Sequence, residues 1–227
     1  MDFSLKGKVA LITGASRGIG EVAAVGLAQA GADLAIASRK LPDLERVAAE
    51  VTKTGRKCLP VAAHVGRMEE INNLVRKVVE QFGKIDILVN NAGCNVRKPA
   101  QEISWDDWNK VLDTNLRGTF FVAQAIGRHM IARKYGRIIN IGSVTSVMGY
   151  AGLGPYCASR GGVKQMTMSL ADDWGRFGVT VNCLAPGWFR TEQNKVLYEN
   201  AKWVEYICDR IPLKRPGKPN DLDGAVV

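Results

Sequence analysis

The sequence predicts an α/β fold, a doubly wound parallel sheet with helices on both faces, in a single domain spanning residues 1–227. Six short β-rich apolar runs alternate with longer segments of 3.6-residue periodicity, the order that builds βαβ units. The runs are apolar on both faces, as strands covered by helices on each side must be. At 227 residues with 46% hydrophobic content, the chain can bury one large core, and neither repeats nor linkers divide it.

In chain order, "KVALIT" is the first strand, and the helical pattern "GIGEVAAVGLAQAG" follows it to a stop at Gly31. "DLAIAS" and "CLPVAAHV" are the second and third strands. "MEEINNLVRKVVEQFG" is a helix ended by Gly83, and "IDILVN" is the fourth strand. The longest helical pattern starts at "SWDDW", where Ser104 and Asp107 form a capping box, and runs toward Arg133. Gly118 and Gly127 interrupt it, so one long packed helix and a helix bent near Asn115 both fit. "RIINIG" leads into Gly/Ser-rich loop material, then a second long helix from near Pro155 to about Trp174, and "VTVNCL" is the sixth strand. The ending "DLDGAVV" reads as an opened helix without a partner, which suggests that a C-terminal strand of the sheet is missing from this chain.

Several function classes are disfavoured. "MDFSLKGK" has no signal-peptide core, and no apolar run approaches the ~20 residues that span a bilayer, so no membrane role is expected. Five cysteines with no C-x-x-C spacing read as reduced thiols of a cytoplasmic protein. His64 and His129 have no cysteine or carboxylate cluster nearby, so no metal site is expected. The net charge of +9 comes as scattered Arg-Lys pairs at 39–40, 56–57, 76–77, 97–98 and 133–134. No basic stripe interleaves with aromatics, which argues against nucleic acid.

Two stretches carry chemistry. "TGASRGIG", Thr13 to Gly20, follows the first strand and opens a helix. Gly14, Gly18 and Gly20 permit a tight turn and close backbone approach, so the amides around Ser16, Arg17 and Ile19 can hold a phosphate on the helix dipole. The spacing is G-x-x-x-G-x-G, and by itself such a turn could be only a close strand–helix contact. At the end of the second strand, Ser38 and Arg39 stand where an NAD site usually has a carboxylate. With Arg17, two guanidiniums suit a 2′-phosphate, which favours NADP(H) over NAD(H). In "YCASR", Tyr156 and Arg160 lie one helical turn apart, so a cation flanks a phenol. At ~4 Å and an effective dielectric of ~20, that charge favours the phenolate by about 4 kcal/mol.

With "NNAG" at 90–93, Ser143 and "PGWFRT" at 186–191, these motifs resemble the short-chain dehydrogenase/reductase family, in the family's order from Lys8 to Asp223. The resemblance implies a Rossmann-like sheet, a nicotinamide cofactor, carbonyl/alcohol chemistry, and a homotetramer or homodimer. It implies Tyr156 as general acid/base, Ser143 bonded to the substrate oxygen, and Asn115 of "LDTNLRG" holding a relay water in a bent helix. Asn90, Asn91, Ala92 and Gly93 would lie along the cofactor, and Pro186, Gly187 and Thr191 beside its carboxamide. His64, next to Val65 on the adenine side, stands where the family more often has aspartate. Arg160 stands at the family's lysine and supplies charge but no transferable proton. "INIGSV" and "IPLKRPG" resemble both 3-oxoacyl-acyl-carrier-protein reductases and sugar-acid or polyol dehydrogenases of the gluconate 5-dehydrogenase kind. The function implied is NADPH-dependent reduction of a small carbonyl compound, reversible to alcohol oxidation; the rival is a non-catalytic dinucleotide-binding protein marked by Arg160. Residues 188–211, with Trp188, Phe189, Tyr198, Trp203 and Tyr206, read as a substrate lid or as amphipathic packing.

Overall fold

A computed structural model of the chain describes residues 3–191 and 194–227, the side chain of Pro219 excepted. Six strands form one parallel sheet: β1 (Val9–Thr13), β2 (Asp33–Ser38), β3 (Cys58–Ala62), β4 (Ile87–Asn90), β5 (Gly136–Ile141) and β6 (Val179–Leu184). Their order is β3-β2-β1-β4-β5-β6, so the winding reverses between β1 and β4. Thr13 pairs with Ala37 on one side and Asn90 on the other, which opens a crevice at these carboxyl ends. Each predicted strand is present. The third is shorter than its apolar run, with Pro60 tolerated because β3 is an edge strand.

Strand alternation divides the core in two. Leu11 and Ala35 face one layer with Ile126, Met130 and Leu170, while Ile12 and Leu34 face the other with Leu27, Leu44 and Val47. The second layer carries α1 (Gly18–Gln29) and α2 (Leu41–Thr52). The first carries α3 (Met68–Phe82), α5 (Gly118–Ala132) and α6 (Gly154–Gly175). Gly83 ends α3 in the left-handed conformation and returns its N–H to the Val79 carbonyl, as the spacing predicts.

The long helical pattern resolves into α4 (Trp105–Leu112), capped by the Ser104–Asp107 box, a π-helical turn at Asp113–Arg117, and α5. Asn115 sits in that π turn, so the irregularity falls where a bend was expected, as a π-helical turn within a continuous helical path. Gly118 and Gly127 are contact points rather than breaks. A β-carbon at 118 would stand 2.7 Å from the Val65 carbonyl oxygen, and one at 127 would stand 2.8 Å from the Trp174 ring. Beyond β6 lie α7 (Ala201–Arg210) and the short α8 (Asp223–Val226). Among the described residues, β6 is the sheet's other edge and no helix is long and apolar enough to cross a membrane.

Candidate active site

A cavity of about 800 Å³ occupies the crevice. At one end, Gly14, Ser16, Arg17, Gly18 and Ile19 wrap the start of α1. Gly14 and Gly18 have φ of 66° and 61°, values that favour glycine. Arg17 is the N-cap of α1 in extended conformation with no capping side-chain bond, which leaves the first helical amides available to an anion. Asn91 staples this loop to β4, donating from Nδ2 to the Thr13 and Gly14 carbonyls at 3.1 and 2.9 Å. Gly20 stands behind the wall, where a β-carbon would collide with the Asn91 amide and the Gly14 carbonyl oxygen. Ser38, Arg39, His64 and Val65 line the adjoining wall. Arg17 and Arg39 are exposed, and neither makes an ion pair among the described residues. The His64 Nδ1 accepts the Gly66 N–H at 2.9 Å, which puts a neutral ring's proton on Nε2.

At the other end, Ser143, Tyr156 and Arg160 line the same space with Ala92 and Gly93. Ser143 follows β5, and its hydroxyl accepts the Thr145 N–H at 3.2 Å, leaving its own proton free to donate. The Ser143 N–H bonds the Ser146 hydroxyl, which donates to the Arg160 carbonyl at 2.8 Å and so ties this turn to α6. Arg160 is 5% exposed. Its Nη1 donates to the Ile141 carbonyl at 2.6 Å, and its Cζ stands 5.2 Å from the Tyr156 ring centroid. The other half of the guanidinium lies against Gly93, where any β-carbon would collide with it. Its Nε is buried without a partner, and no carboxylate pairs with it among the described residues.

Asn115 is fully buried behind this wall. Its side chain accepts the Cys94 N–H and donates to the Cys94 carbonyl and to Ser159, at 2.8, 2.9 and 3.1 Å. Ser159 in turn donates to the Tyr156 carbonyl at 2.8 Å. The Asn115 carbonyl accepts the Thr119 hydroxyl. Asn90, expected along the cofactor, is 2% exposed and turned away from the cavity, bonded to Asn140 and to the Thr119 carbonyl. Strand alternation explains this: adjacent asparagines point to opposite faces, and Asn91 is the one that reaches the crevice.

Pro186, Gly187 and Thr191 close the cavity with Trp188, Phe189, Val196 and Leu197. Residues 192 and 193 of the expected lid lie outside the described residues. Tyr150, Trp188, Trp203 and Tyr198 form a chain of edge contacts at 5.2–5.3 Å, and Trp203 Nε1 donates to the Tyr150 hydroxyl at 3.1 Å. Trp188 and Phe189 face the cavity, while Tyr198 and Trp203 pack behind them. Tyr206 is exposed under Arg210.

The model of the short chain dehydrogenases matches residues 8–202. The chain belongs to that family. It is 41% identical over 225 residues to a gluconate 5-dehydrogenase of Gluconobacter oxydans, covering 99% of this chain and 88% of that one. It is 40% identical over 226 residues to a 2-dehydro-3-deoxy-D-gluconate 5-dehydrogenase of Escherichia coli K12, with the same coverage. A solved gluconate 5-dehydrogenase from Burkholderia cenocepacia, in complex with NADP and tartrate, superposes with a TM-score of 0.95 at 40% identity, covering 99% of this chain and 88% of that one.

A short-chain dehydrogenase needs room for a dinucleotide, and the crevice fits one. The cavity of about 800 Å³ supplies that room, the uncapped first turn of α1 offers amides to the phosphates, and Arg17 and Arg39 offer guanidiniums with no ion-pair partner among the described residues. Of the residues expected at the site, all but Asn90, Gly20 and Asn115 line the cavity. Sequence reasoning missed Asn95, Arg97 and Lys110, which also line it. The Lys98 ammonium pairs with Asp107, whereas Arg97 lies 5.6 Å over the Tyr150 ring with no carboxylate partner among the described residues. The basic pair at 97–98 was visible, but not this division of labour.

Proposed function

We propose that this chain is an NADP(H)-dependent oxidoreductase that interconverts a secondary hydroxyl and a keto group on a sugar acid. The observation that carries this reading is one cavity with Ser143, Tyr156 and Arg160 at one end and the free guanidiniums of Arg17 and Arg39 at the other. Arg17 and Arg39 take the 2′-phosphate, the amides of the glycine loop take the diphosphate, and Arg160 takes ribose hydroxyls. The nicotinamide, when bound, supplies or accepts the hydride. Ser143 donates its free proton to the substrate oxygen and holds it beside Tyr156. In reduction Tyr156 passes its phenolic proton to that oxygen, and the Arg160 charge stabilises the phenolate left behind. Asn115 braces the Tyr156 backbone through Ser159, and its π turn suits the expected relay water.

The sugar-acid assignment is supported by the relatives' names and by two cations in the cavity wall, Arg97 and Lys110, available to a carboxylate. Trp188 and Phe189 cover the substrate. We propose further that the protein is cytoplasmic, a single domain, and a homotetramer or homodimer. Exposed apolar side chains on α4 and α6, namely Trp105, Trp108 and Met168, support the assembly. A panel of ketones, keto sugar acids and acyl thioesters, scored by NADPH oxidation, tests the function. Turnover of a keto sugar acid is the expected result. Preference for an acyl thioester would replace the substrate class, and tight NADPH binding without any turnover would mark a non-catalytic protein.

A further inference from the structure

Arg46 projects from α2 toward the glycine loop, outside the residues that line the cavity. Its guanidinium forks onto the Glu21 carboxylate in the first turn of α1, with bonds of 2.6 and 2.9 Å. Its Nη2 also donates to the Ser16 carbonyl at 3.0 Å. A trans peptide unit sets its C=O and N–H in opposite directions, and no described peptide bond is cis. A Ser16 carbonyl drawn out toward α2 therefore turns the Arg17 N–H away from α2, and Arg17 is one of the residues that line the cavity.

The preceding loop planes are held differently. Asn91 holds the Thr13 and Gly14 carbonyls, and the Ala15 N–H bonds the Ala37 carbonyl. Those anchors come from the sheet and the β4 loop, whereas the Ser16–Arg17 plane is held by a side chain of α2. Gly14 and Gly18, both at positive φ, bracket the segment and leave it free to pivot without that hold.

We infer that Arg46 is a positioning residue for the dinucleotide, aiming the Arg17 amide at its phosphates without touching the ligand. The side chain of Arg46 is 55% exposed, so the pair adds little to overall stability. Its forked geometry supplies direction instead. Glu21 shares the task by fixing the guanidinium plane. The inference rests on the nicotinamide-dinucleotide reading proposed above.

The test is calorimetric titration of the intact protein with NADPH and with NADH, for wild type, Arg46→Ala, Arg46→Lys and Glu21→Gln. Arg46→Ala should raise both dissociation constants by the same factor, roughly 3- to 10-fold, the worth of one ordinary hydrogen bond. Turnover at saturating cofactor should stay within about twofold, since the effect is on binding. Arg46→Lys, a single point charge, should recover part of the loss, and Glu21→Gln should show a milder equal loss. A loss confined to NADPH would overturn the inference by placing Arg46 on the 2′-phosphate. Unchanged affinity for both cofactors in Arg46→Ala and Glu21→Gln would reduce the contact to a surface ion pair. Wild type that binds neither cofactor would sink the dinucleotide reading itself, an outcome distinct from either.

Discussion

Replacing Arg160 by methionine removes a buried positive charge while keeping an unbranched side chain in the same space. The guanidinium carbon lies 5.2 Å from the Tyr156 ring centroid. A unit charge at that distance and an effective dielectric of ~20 stabilises a forming phenolate by about 3 kcal/mol. Lost from the transition state, that is on the order of 10²-fold in turnover. Stability should fall much less, because the variant also removes a charge with no carboxylate partner among the described residues. Arg160→Lys separates charge from shape: it keeps the charge, adds a transferable proton and gives up the fork at Ile141 and Gly93. Its turnover should equal or exceed that of wild type. The assay is turnover at saturating NADPH with the substrate from the panel, beside calorimetric cofactor affinity. A methionine variant within threefold of wild type would refute the electrostatic argument. A lysine variant that binds NADPH normally yet runs more than tenfold slower would show that the guanidinium itself, rather than its charge, is in use.

Tyr156→Phe should lower reduction by ~10²–10⁴-fold, the range of general acid catalysis, with NADPH affinity nearly unchanged by calorimetry. Arg39→Asp should weaken NADPH far more than NADH, since repulsion replaces a charge-assisted bond; equal losses would leave only Arg17 for the 2′-phosphate. The Asp86 side chain is 1% exposed, and burial alone would raise its pKa. Hydrogen bonds from Arg133, Lys84 and the Val9 N–H outweigh burial and hold it below the ordinary carboxylate range. A lowered folded-state pKa means that its stabilisation is present above about pH 4 and is lost as pH falls through the folded value. Denaturant melts from pH 6 to pH 3 should therefore show a steeper acid loss in wild type than in Asp86→Asn. The variant should start about 3 kcal/mol less stable at pH 6, and parallel curves would count against this role.

The sheet was legible because its central strands β1, β2 and β4 are nearly continuous apolar runs buried on both faces, as a doubly covered parallel sheet requires, while the edge strand β6 alternates, and the Ser104–Asp107 cap is written within four residues. Legibility failed where a side chain's meaning depends on register or on distant partners. Asn90 and Asn91 are chemically identical neighbours, and only the pairing of β4 with β1 and β5 decides which faces the crevice. Gly118 and Gly127 looked like helix breaks because the Val65 carbonyl and the Trp174 ring that they admit are more than 45 residues away. Arg97 resembled every other basic pair until Lys98 was seen to be occupied by Asp107. Arg46 reaches Glu21 across 25 positions, beyond any local pattern.

The unexpected arginine sits in a site whose placement depends little on that side chain. The Tyr156 backbone is held by the Ser159 hydroxyl, which Asn115 holds in turn from the π turn. The Ser143 turn is tied to α6 through Ser146 and the Arg160 carbonyl, a backbone atom that any residue at 160 would present. The proposed acid and the proposed substrate-binding serine are thus fixed by hydroxyls and main chain, which leaves side chain 160, on that proposal, to supply charge and ribose contact. Gly93 makes room for the larger head, and Ile141 takes its extra donor. On the proposed mechanism, exchanging the cation there should change how a proton is replenished while leaving the hydrogen bonds that place Tyr156 and Ser143 in position.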